Sequence, residues 1–404
     1  METDIVIAGG GLNGTALAVA LADAGFSVLV VDPRPSIQPT PDFDGRSYAL
    51  AVASQRVLSG LGLWGSLKDD AGPILEIKVS DGGGGKPPSP IVLHFDHAEI
   101  EEGPMGYMVE DRHVRPILAD AVDARGVQVL AGLSITDHAP RTGGVDVTLS
   151  DGQIIPARLL IGCDGAQSPT AKRAGVGRVG SDYQQSALVC ALETEMAHDG
   201  IAHQLFLPEG PLAILPLRGN RVSTVWTETT ARAGAVQALD DAGYLDVLRP
   251  RFGDFLGDIK LAGGRFTYPL ALSLAEAFVA ERLALLGDAA HRVHPIAGQG
   301  LNAGLRDVAV LAEVLADAKR RGEDIGTAIV LQRYQTWRRF DAVALGLATD
   351  VFNRTFSNDI APIRLLRDLG LGAVNALPKL RRGLIREAAG LTGELPRLAR
   401  GLPL

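Results

Sequence analysis

A glycine-rich turn between an apolar strand and an apolar helix is the feature that most constrains the fold of this 404-residue chain. The run Asp4–Ala8 is apolar, Gly9–Gly14 spells G-x-G-x-x-G, and Thr15–Ala24 is rich in Ala and Leu. A second apolar run then closes on Asp32. In such a unit a pyrophosphate lies on the helix N-terminus and the acid accepts hydrogen bonds from a ribose. The sequence therefore predicts a Rossmann-like dinucleotide-binding domain, and this unit leaves FAD and NAD equally open.

A second glycine-rich stretch, Gly287–Asp307, follows the short apolar run Leu283–Leu286 and precedes a helical pattern from about Gly304 to Arg320. A strand-loop-helix junction directs backbone N–H groups and a helix dipole at whatever lies above the loop. Its glycines allow a planar ligand to approach the main chain. We expect an anion or an electron-rich ring here, the alternative being a ligand-free turn.

The stretch reads GDAAHRVHPIAGQGLNAGLRD and resembles the signature of FAD-dependent aromatic hydroxylases of the ubiquinone-biosynthesis type, which have the p-hydroxybenzoate hydroxylase fold. The resemblance implies that Asp288 holds the ribityl and phosphate side of FAD and that Pro295 lies against the isoalloxazine ring. It further implies N–H contacts to the N1–C2=O edge from Gly300, Leu301 and Asn302. This second motif favours FAD over NAD.

Further segments match the same family in order along the chain. For the segment beginning Asp44-Gly45-Arg46 the resemblance implies that Arg46 contacts the flavin, the alternative being a solvated or phosphate-contacting side chain. It also implies that Asp164, in Cys-Asp-Gly, orders the loops near the flavin phosphates and contacts the nicotinamide donor. Arg112 opens a helix and is either a pyrophosphate ligand or part of a charged helix face. The predicted cofactor-binding residues are Gly9, Gly11, Leu12, Asn13, Gly14, Asp32, Arg34, Arg46, Arg112, Asp164, Gly287, Asp288, Pro295, Gly298, Gly300, Leu301 and Asn302.

Two interleaved domains and a tail are expected from the order of these segments. The FAD-binding domain would comprise residues 1–73, 104–180 and 276–335, and an inserted antiparallel-sheet substrate domain residues 74–103 and 181–275. The run 81–90 is rich in Gly and Pro and predicts a loop tip. In the substrate domain the alternating apolar positions are expected to be core more than pocket wall, and they include Leu205, Leu207, Ile214, Leu215, Val225 and Trp226. Residues 336–404 would form a C-terminal helical segment.

The resemblance implies a flavin C4a-hydroperoxide that hydroxylates the ring of a polyprenylated phenol or quinol, with O2 as co-substrate and NADPH or NADH as electron donor. His294 and Pro295 are the candidates for positioning the ring. Two other functions stay open: a flavin-dependent reductase or dehydrogenase on the same fold, and a non-catalytic flavoprotein subunit of a biosynthetic complex. His291 and His294 lack a third ligand nearby, so no metal site is expected. No nucleophile elbow is evident, which leaves hydrolysis without support.

Charge and composition limit which partners and which cellular location the sequence predicts. The net charge is −8, which gives no reason to expect nucleic acid. The acidic start Met1–Asp4 and the lack of a long apolar run predict a cytoplasmic protein without a signal peptide or membrane span. The two cysteines, Cys163 and Cys190, are expected to be inert thiols. Residues 361–404 carry eight Lys/Arg and three Asp/Glu. This basic tail is either a solvated helical cap or a peripheral contact to an anionic inner-membrane surface or to a ubiquinone-biosynthesis complex.

Overall fold

The computed structural model describes residues 3–36, 42–82, 92–357 and 374–404. Within these ranges the strands are β1 Thr3–Ala8, β2 Val28–Asp32, β3 Ser47–Ala51, β4 Gly72–Ile74, β5 Glu76–Asp81, β6 Val92–Asp96, β7 Gly106–Glu110, β8 Gln128–Ala131, β9 Ile135–Arg141, β10 Gly144–Leu149, β11 Ile154–Gly162, β12 Arg178–Thr194, β13 Ile201–Leu207, β14 Gly210–Pro216, β15 Arg221–Thr229, β16 Ile259–Ala275, β17 Val279–Ala280, β18 Leu283–Leu285 and β19 His291–Arg292. The helices are α1 Leu12–Asp23, α2 Val52–Gly60, α3 Trp64–Leu67, α4 Asp111–Ala124, α5 Pro169–Arg173, α6 Thr230–Gln237, α7 Asp241–Phe252, α8 Gln299–Arg320, α9 Ala328–Phe356 and α10 Pro378–Ala388.

The first sheet has the strand order β17-β18-β11-β1-β2-β8, and a β9–β10 hairpin extends it at β11. Its central strands β18, β11, β1, β2 and β8 run parallel. Helices α1 and α8 pack on this sheet, and α1 is buried along most of its length, from Gly14 to Leu21. A parallel sheet covered by helices needs strands that are apolar on both faces, which is how β1 and β2 read in the sequence.

The second sheet has the order β19-β16-β12-β15-β14-β13-β5-β6. Helices α6 and α7 cover one face, where Leu188, Ile214 and Trp226 are fully buried. The sheet is antiparallel, as predicted, at every strand pair but one: β13 and β5 pair in parallel. The segment that supplies β5 and β6 comes from a distant part of the chain, and its direction does not follow from the alternating pattern alone.

Helix α8 begins at Gln299, five residues before the predicted start. Gly298 adopts a left-handed conformation with φ of 63° and caps the helix, so the glycines of the motif lie inside the first turns. The predicted loop tip at 81–90 and part of the basic tail lie outside the described residues. Among the helices that the structure describes, none combines the length and the apolar character needed to span a bilayer.

Candidate cofactor and active site

Two helix N-termini meet at the edge of the first sheet. Helix α1 is capped by Gly11 and α8 by Gly298, and neither cap residue provides a side-chain hydrogen bond. The first backbone N–H groups of a helix have no acceptor within the helix, so each terminus is suited to negative charge. Asn13 lies between them, because Cβ atoms added to Gly287 and Gly304 would come within 2.6 and 2.2 Å of its Nδ2. The two glycine-rich motifs, separated by about two-thirds of the chain, therefore form one site.

The glycines of this site fall into two classes. A Cβ on Gly9, whose φ is 106°, would lie 2.5 Å from the carbonyl oxygen of Cys163, and one on Gly14 would lie 2.0 Å from the oxygen of Gly9. These two permit close packing of the chain. A Cβ on Gly11 or Gly300 would meet no atom within 4 Å. These two leave open space in front of the helix termini, where a ligand can approach the backbone.

Asp32 is held by the glycine loop and by Arg34. One carboxylate oxygen accepts from the N–H of Gly10 at 2.6 Å, and the other accepts from the N–H and Nε of Arg34 at 2.9 and 2.8 Å. Burial opposes ionisation, but the hydrogen bonds and charge of Arg34 hold the pKa of Asp32 below its ordinary value. Asp32 is only 4% exposed, whereas the side chain of Arg34 is 44% exposed. Arg34 is therefore the more accessible of the pair, and the ribose contact of Asp32 stays a prediction.

Arg46 lies between the first domain and the second sheet. Its Nε donates to Asp44 at 2.7 Å, its Nη2 lies 3.4 Å from buried Asp111, and its guanidinium lies 5.9 Å from the ring centroid of Phe266. The hydrogen bond that Arg46 donates to Asp44 raises the pKa of Arg46, so the side chain is a permanent cation. A cation fixed at this boundary is suited to contact either a cofactor or a substrate.

Arg112 contacts a different set of residues. Its Nε donates to buried Glu110 at 2.7 Å, and Arg221 of β15 lies 2.8 Å from the other oxygen of the same carboxylate. Both guanidinium groups lie over the ring of Phe43, at 5.1 and 4.7 Å from its centroid. These contacts join α4 to the second sheet, and a pyrophosphate contact for Arg112 stays a prediction.

Asp164 fixes the loop that follows β11. Its carboxylate accepts from Ser168 Oγ at 2.5 Å and from the N–H of Thr170 at 2.9 Å. Ser168 in turn caps α5. The loop thus presents Cys163 and Asp164 to Gly9, as expected for an acid that orders this region. The thiol of Cys163 is half-buried, and desolvation raises its pKa, which agrees with an inert cysteine.

Asp288 lies on the turn that precedes β19. Its side chain is accessible to solvent, yet protein atoms surround it closely enough that desolvation raises the pKa of its carboxyl. Arg178 donates to the backbone oxygens of Asp288 and Ala289 and holds the turn in place. An accessible carboxylate at this turn can accept hydrogen bonds from ligand hydroxyls.

The side chain of Asn302 clamps the loop before α8. Its Nδ2 donates to the oxygens of Ala49 and Gly298, each at 2.8 Å, and its Oδ1 accepts from the N–H of Ala51 and from Ser54 Oγ, at 2.8 and 2.6 Å. The hydrogen-bonding groups of the amide are thus used within the protein.

The backbone of the first turn of α8 remains for a ligand. Gly300 and Leu301 belong to the residues whose N–H groups have no acceptor within the helix, whereas Asn302 lies one position further. Contacts from Gly300 and Leu301 therefore agree with the helix geometry better than one from Asn302.

His294 and Pro295 precede this turn. His294 is fully buried, and neither of its ring nitrogens has a hydrogen-bond partner among the described residues. The ring of Tyr183 lies edge-on to it at 5.2 Å, on a bulge of β12 where Gln184 has a φ of 53°. Burial lowers the pKa of His294 to about 4, so the imidazole is neutral at neutral pH. Pro295 is half-buried, and its oxygen accepts from the N–H of Gly298 at 3.0 Å.

Asp307, Arg338 and His291 form a buried cluster behind the site that the sequence did not reveal. Asp307 accepts from His291 Nε2 at 2.6 Å, from Arg338 Nε at 2.7 Å and from the N–H of Gly287 at 3.0 Å. Burial alone would raise the pKa of Asp307, but His291 and Arg338 hold it at about 2. The cluster ties α8 and α9 to the turn that bears Asp288. Its one sequence signal is an acid at a position of α8 that the apolar periodicity assigns to the buried face.

Comparison with known proteins agrees with this geometry. Residues 2–343 match the family described as "FAD binding domain". The chain is 47% identical over 406 residues to ubiquinone hydroxylase UbiL of Rhodospirillum rubrum, covering 99% of this chain and 93% of that protein. It is 36% identical over 396 residues to 3-demethoxyubiquinol 3-hydroxylase of Escherichia coli, covering 96% and 99%.

The chain belongs to the family of FAD-dependent ubiquinone hydroxylases. Its fold matches that of solved FAD-dependent aromatic hydroxylases, such as p-nitrophenol 4-monooxygenase PnpA of Pseudomonas putida. The TM-score is 0.80 at 19% identity, with 98% of this chain and 99% of that chain covered. This match confirms the predicted p-hydroxybenzoate hydroxylase fold. The family and the relatives confirm the prediction of an FAD-dependent monooxygenase.

The residues of this hydroxylase fit FAD. Open space in front of Gly11 and Gly300 places a free helix N-terminus at each of two points along one site. Between them, Oδ1 of Asn13 is buried without a partner among the described residues, as is expected of a group that a ligand completes. An elongated cofactor with a phosphate group and an electron-rich ring satisfies both termini at once.

Proposed function

We propose that the protein hydroxylates the aromatic ring of a polyprenylated phenol or quinol intermediate of ubiquinone biosynthesis, with O2 as co-substrate and NADPH or NADH as electron donor. The observation that carries the proposal is the pair of helix N-termini without a side-chain cap, in a chain 47% identical to a ubiquinone hydroxylase. Bound FAD supplies the oxygen chemistry, for which protein side chains have no equivalent.

The chain's own residues would bind FAD and orient the substrate ring. In this proposal the N–H groups of Gly11–Gly14 hold the pyrophosphate, and Asp288 accepts from the ribityl hydroxyls. The N–H groups of Gly300 and Leu301 and the dipole of α8 stabilise negative charge on the ring edge. The neutral imidazole of His294, beside Pro295, is suited to hold a ring hydroxyl by accepting its proton in a hydrogen bond.

The direct test combines reconstitution with product analysis. Protein loaded with FAD is supplied with NADPH or NADH and a short-chain prenylated phenol, while oxygen uptake is recorded and products are identified by mass spectrometry. Oxygen consumed in step with a hydroxylated product supports the proposal. Turnover that proceeds without oxygen indicates a reductase, and bound FAD without any donor-dependent product indicates a scaffold subunit. Complementation of strains that each lack one ring hydroxylase then identifies the ring position.

We also propose peripheral contact with an anionic membrane through α10. Leu377, Leu380 and Leu384 are 54, 47 and 42% exposed and lie at helical spacing, and Lys379 and Arg382 are exposed between them. The opposite side of the helix is anchored to the protein, since Ile385 is buried and the two other basic residues pair with acids, Arg381 with Glu99 and Arg386 with Glu102.

Co-sedimentation with vesicles that contain anionic lipid tests this contact. Replacement of Leu380 and Leu384 by Ser should reduce the bound fraction several-fold, whereas the same change at exposed Leu347 on α9 should not. Equal sedimentation of both variants would leave α10 as a solvated cap. The same variants, assayed for co-purification with other ubiquinone-biosynthesis proteins, test the alternative that α10 contacts a biosynthetic complex.

A further inference from the structure

One row of side chains crosses six strands of the second sheet. Residues that pair directly across neighbouring strands point to the same face of a sheet. Starting on β16, the pairs run in unbroken succession through β12, β15, β14 and β13 to β5, and the row consists of Phe266, Val189, Val225, Ala213, Gln204 and Val79.

All six of these side chains are half-buried, whereas the rows beside them are mainly buried between β12 and β13. The row on one side contains buried Ala187, Thr227, Pro211 and Phe206, and its member on β16 is Tyr268, which is 44% exposed. The row on the other side contains buried Ala191, Ser223 and Ala202 and half-buried Leu215 and Ile77. A half-accessible row between two mainly buried rows describes a trough in the surface of the sheet.

The trough lies on the face turned away from α6 and α7. The residues adjacent to the row along each strand, such as Leu188, Ile214 and Trp226, point to the opposite face and are fully buried there. The sheet therefore has a complete core on one side, and the trough is not a gap in that core. The register separates Val225 from the core residues, whereas Leu215, on the same face, packs against a second apolar cluster that includes Ala191 and Ala202.

One end of the trough lies beside Arg46, a predicted flavin contact. The guanidinium of Arg46 lies over the ring of Phe266, and a Cβ on Gly45 would lie 3.1 Å from the oxygen of Gly264 on the same strand. The other end is closed at Leu93 of β6, which pairs with Val79 and is 5% exposed. Leu93 packs with Phe206 and Phe356 in a separate apolar cluster.

The dimensions and chemistry of the trough favour an elongated apolar ligand. Neighbouring strands lie about 4.8 Å apart, so the five spacings from β16 to β5 span roughly 24 Å. Five of the six side chains are apolar, and Gln204 is the exception. This length exceeds that of an aromatic ring, and the apolar lining excludes a charged ligand.

We propose that this trough, from Phe266 to Val79, holds the prenyl tail of the substrate, with the aromatic head at the Phe266 end beside the flavin. This inference rests on the proposed function. Ala213 and Val225, at the middle of the row, determine how long a tail is accepted, and Val79 determines the limit at the far end.

The experiment compares tail lengths. Phenols with a short or a long prenyl tail are assayed with the FAD-loaded wild type and with Ala213→Phe, Val79→Phe and Val179→Phe. Val179 is 53% exposed on β12, away from the row, and serves as the matched control. In Ala213→Phe, kcat/KM for the long tail should fall at least about tenfold while the short-tailed substrate is retained. In Val79→Phe only the longest tails should be affected, and Val179→Phe should behave as the wild type.

Folding and the proposed function are controlled separately. Each variant must bind FAD with the wild-type absorbance spectrum, and Gln204→Glu, which keeps the side-chain volume but adds charge, replaces Ala213→Phe if the latter does not fold. If kcat/KM fell equally for short-tailed and long-tailed substrates, or if the wild type did not distinguish tail lengths, the proposed role of the trough would be wrong. A wild type that hydroxylates neither substrate would instead contradict the proposed function.

Discussion

Among single residues, the glycines of the first motif have two different roles: Gly14 is needed for packing and Gly11 for ligand binding. Gly11 has an extended backbone with φ of −72°, and a Cβ there meets no protein atom. We expect Gly11→Ala to leave the stability of the apoprotein unchanged and to weaken FAD binding about tenfold, because the methyl group occupies the approach to the helix N-terminus. Fluorescence titration with FAD and thermal unfolding of the apoprotein measure the two effects.

Gly14→Ala is the matched comparison. A Cβ at Gly14 would lie 2.0 Å from the backbone oxygen of Gly9, so the loop must move. We expect loss of roughly 2 kcal/mol or more of unfolding free energy even without FAD, the range typical of overpacking. If Gly11→Ala lost stability while Gly14→Ala kept it, the division of the glycines into two classes would be wrong.

His294 predicts a pH dependence of stability. Burial lowers its pKa from 6.5 to about 4 in the folded protein. Between pH 6.5 and pH 4 this histidine binds a proton in the unfolded chain but not in the folded protein. The free energy of unfolding is therefore highest above pH 6.5 and declines by roughly 3 kcal/mol as the pH falls to 4. His203, whose pKa burial also lowers to about 4, acts in the same window.

Urea unfolding at a series of pH values measures this decline. His294→Gln should reduce the slope of stability against pH, and adding His203→Gln should remove most of what remains. An unchanged slope in the double variant would show that other groups control this range.

At the scale of elements, Asp307 links α8 to both α9 and the Asp288 turn. Removing one partner of a buried ion pair leaves an uncompensated charge, so Asp307→Asn should destabilise the fold by about 3–5 kcal/mol. Asp317→Asn is the control, since Asp317 lies on the same helix but its side chain is 41% exposed, and its loss should cost less than about 0.5 kcal/mol. Similar midpoints of chemical unfolding for the two variants would contradict a stabilising role for the Asp307 cluster.

The carboxylate of Asp307 also makes stability depend on pH, in a second and more acidic pH range. Its pKa is depressed from 3.8 to about 2, so its contribution is complete above pH 3.8 and is lost as the pH falls toward 2. The magnitude is about 2 kcal/mol, and this loss should be absent in Asp307→Asn. The two windows do not overlap, so acid titration of unfolding separates Asp307 from His294.

The sequence predicted local units of helices and strands but not the contacts between distant elements. The apolar runs and Gly9–Gly14 predicted β1, α1 and β2, because local patterns determine a strand-turn-helix unit. Asp307 and Arg338 lie 31 positions apart on two helices, and no periodic pattern pairs them. The trough could not be predicted either, because alternation shows that two faces exist but not which residues of neighbouring strands are in register.

At the scale of the whole molecule, the cofactor would join three distant segments: the Gly9–Gly14 loop, the Cys163–Asp164 loop and the turn from Gly287 to Leu301. A ligand that binds only the folded state stabilises it according to its concentration relative to Kd, by about 4 kcal/mol at a thousandfold excess. Thermal unfolding should therefore shift upward with FAD concentration as one cooperative transition, because both helix N-termini belong to one core. In Gly11→Ala the same shift should require about tenfold more FAD, from the weakened affinity alone. Two separate transitions, of which only one responded to FAD, would mean that the segments do not share a single binding site.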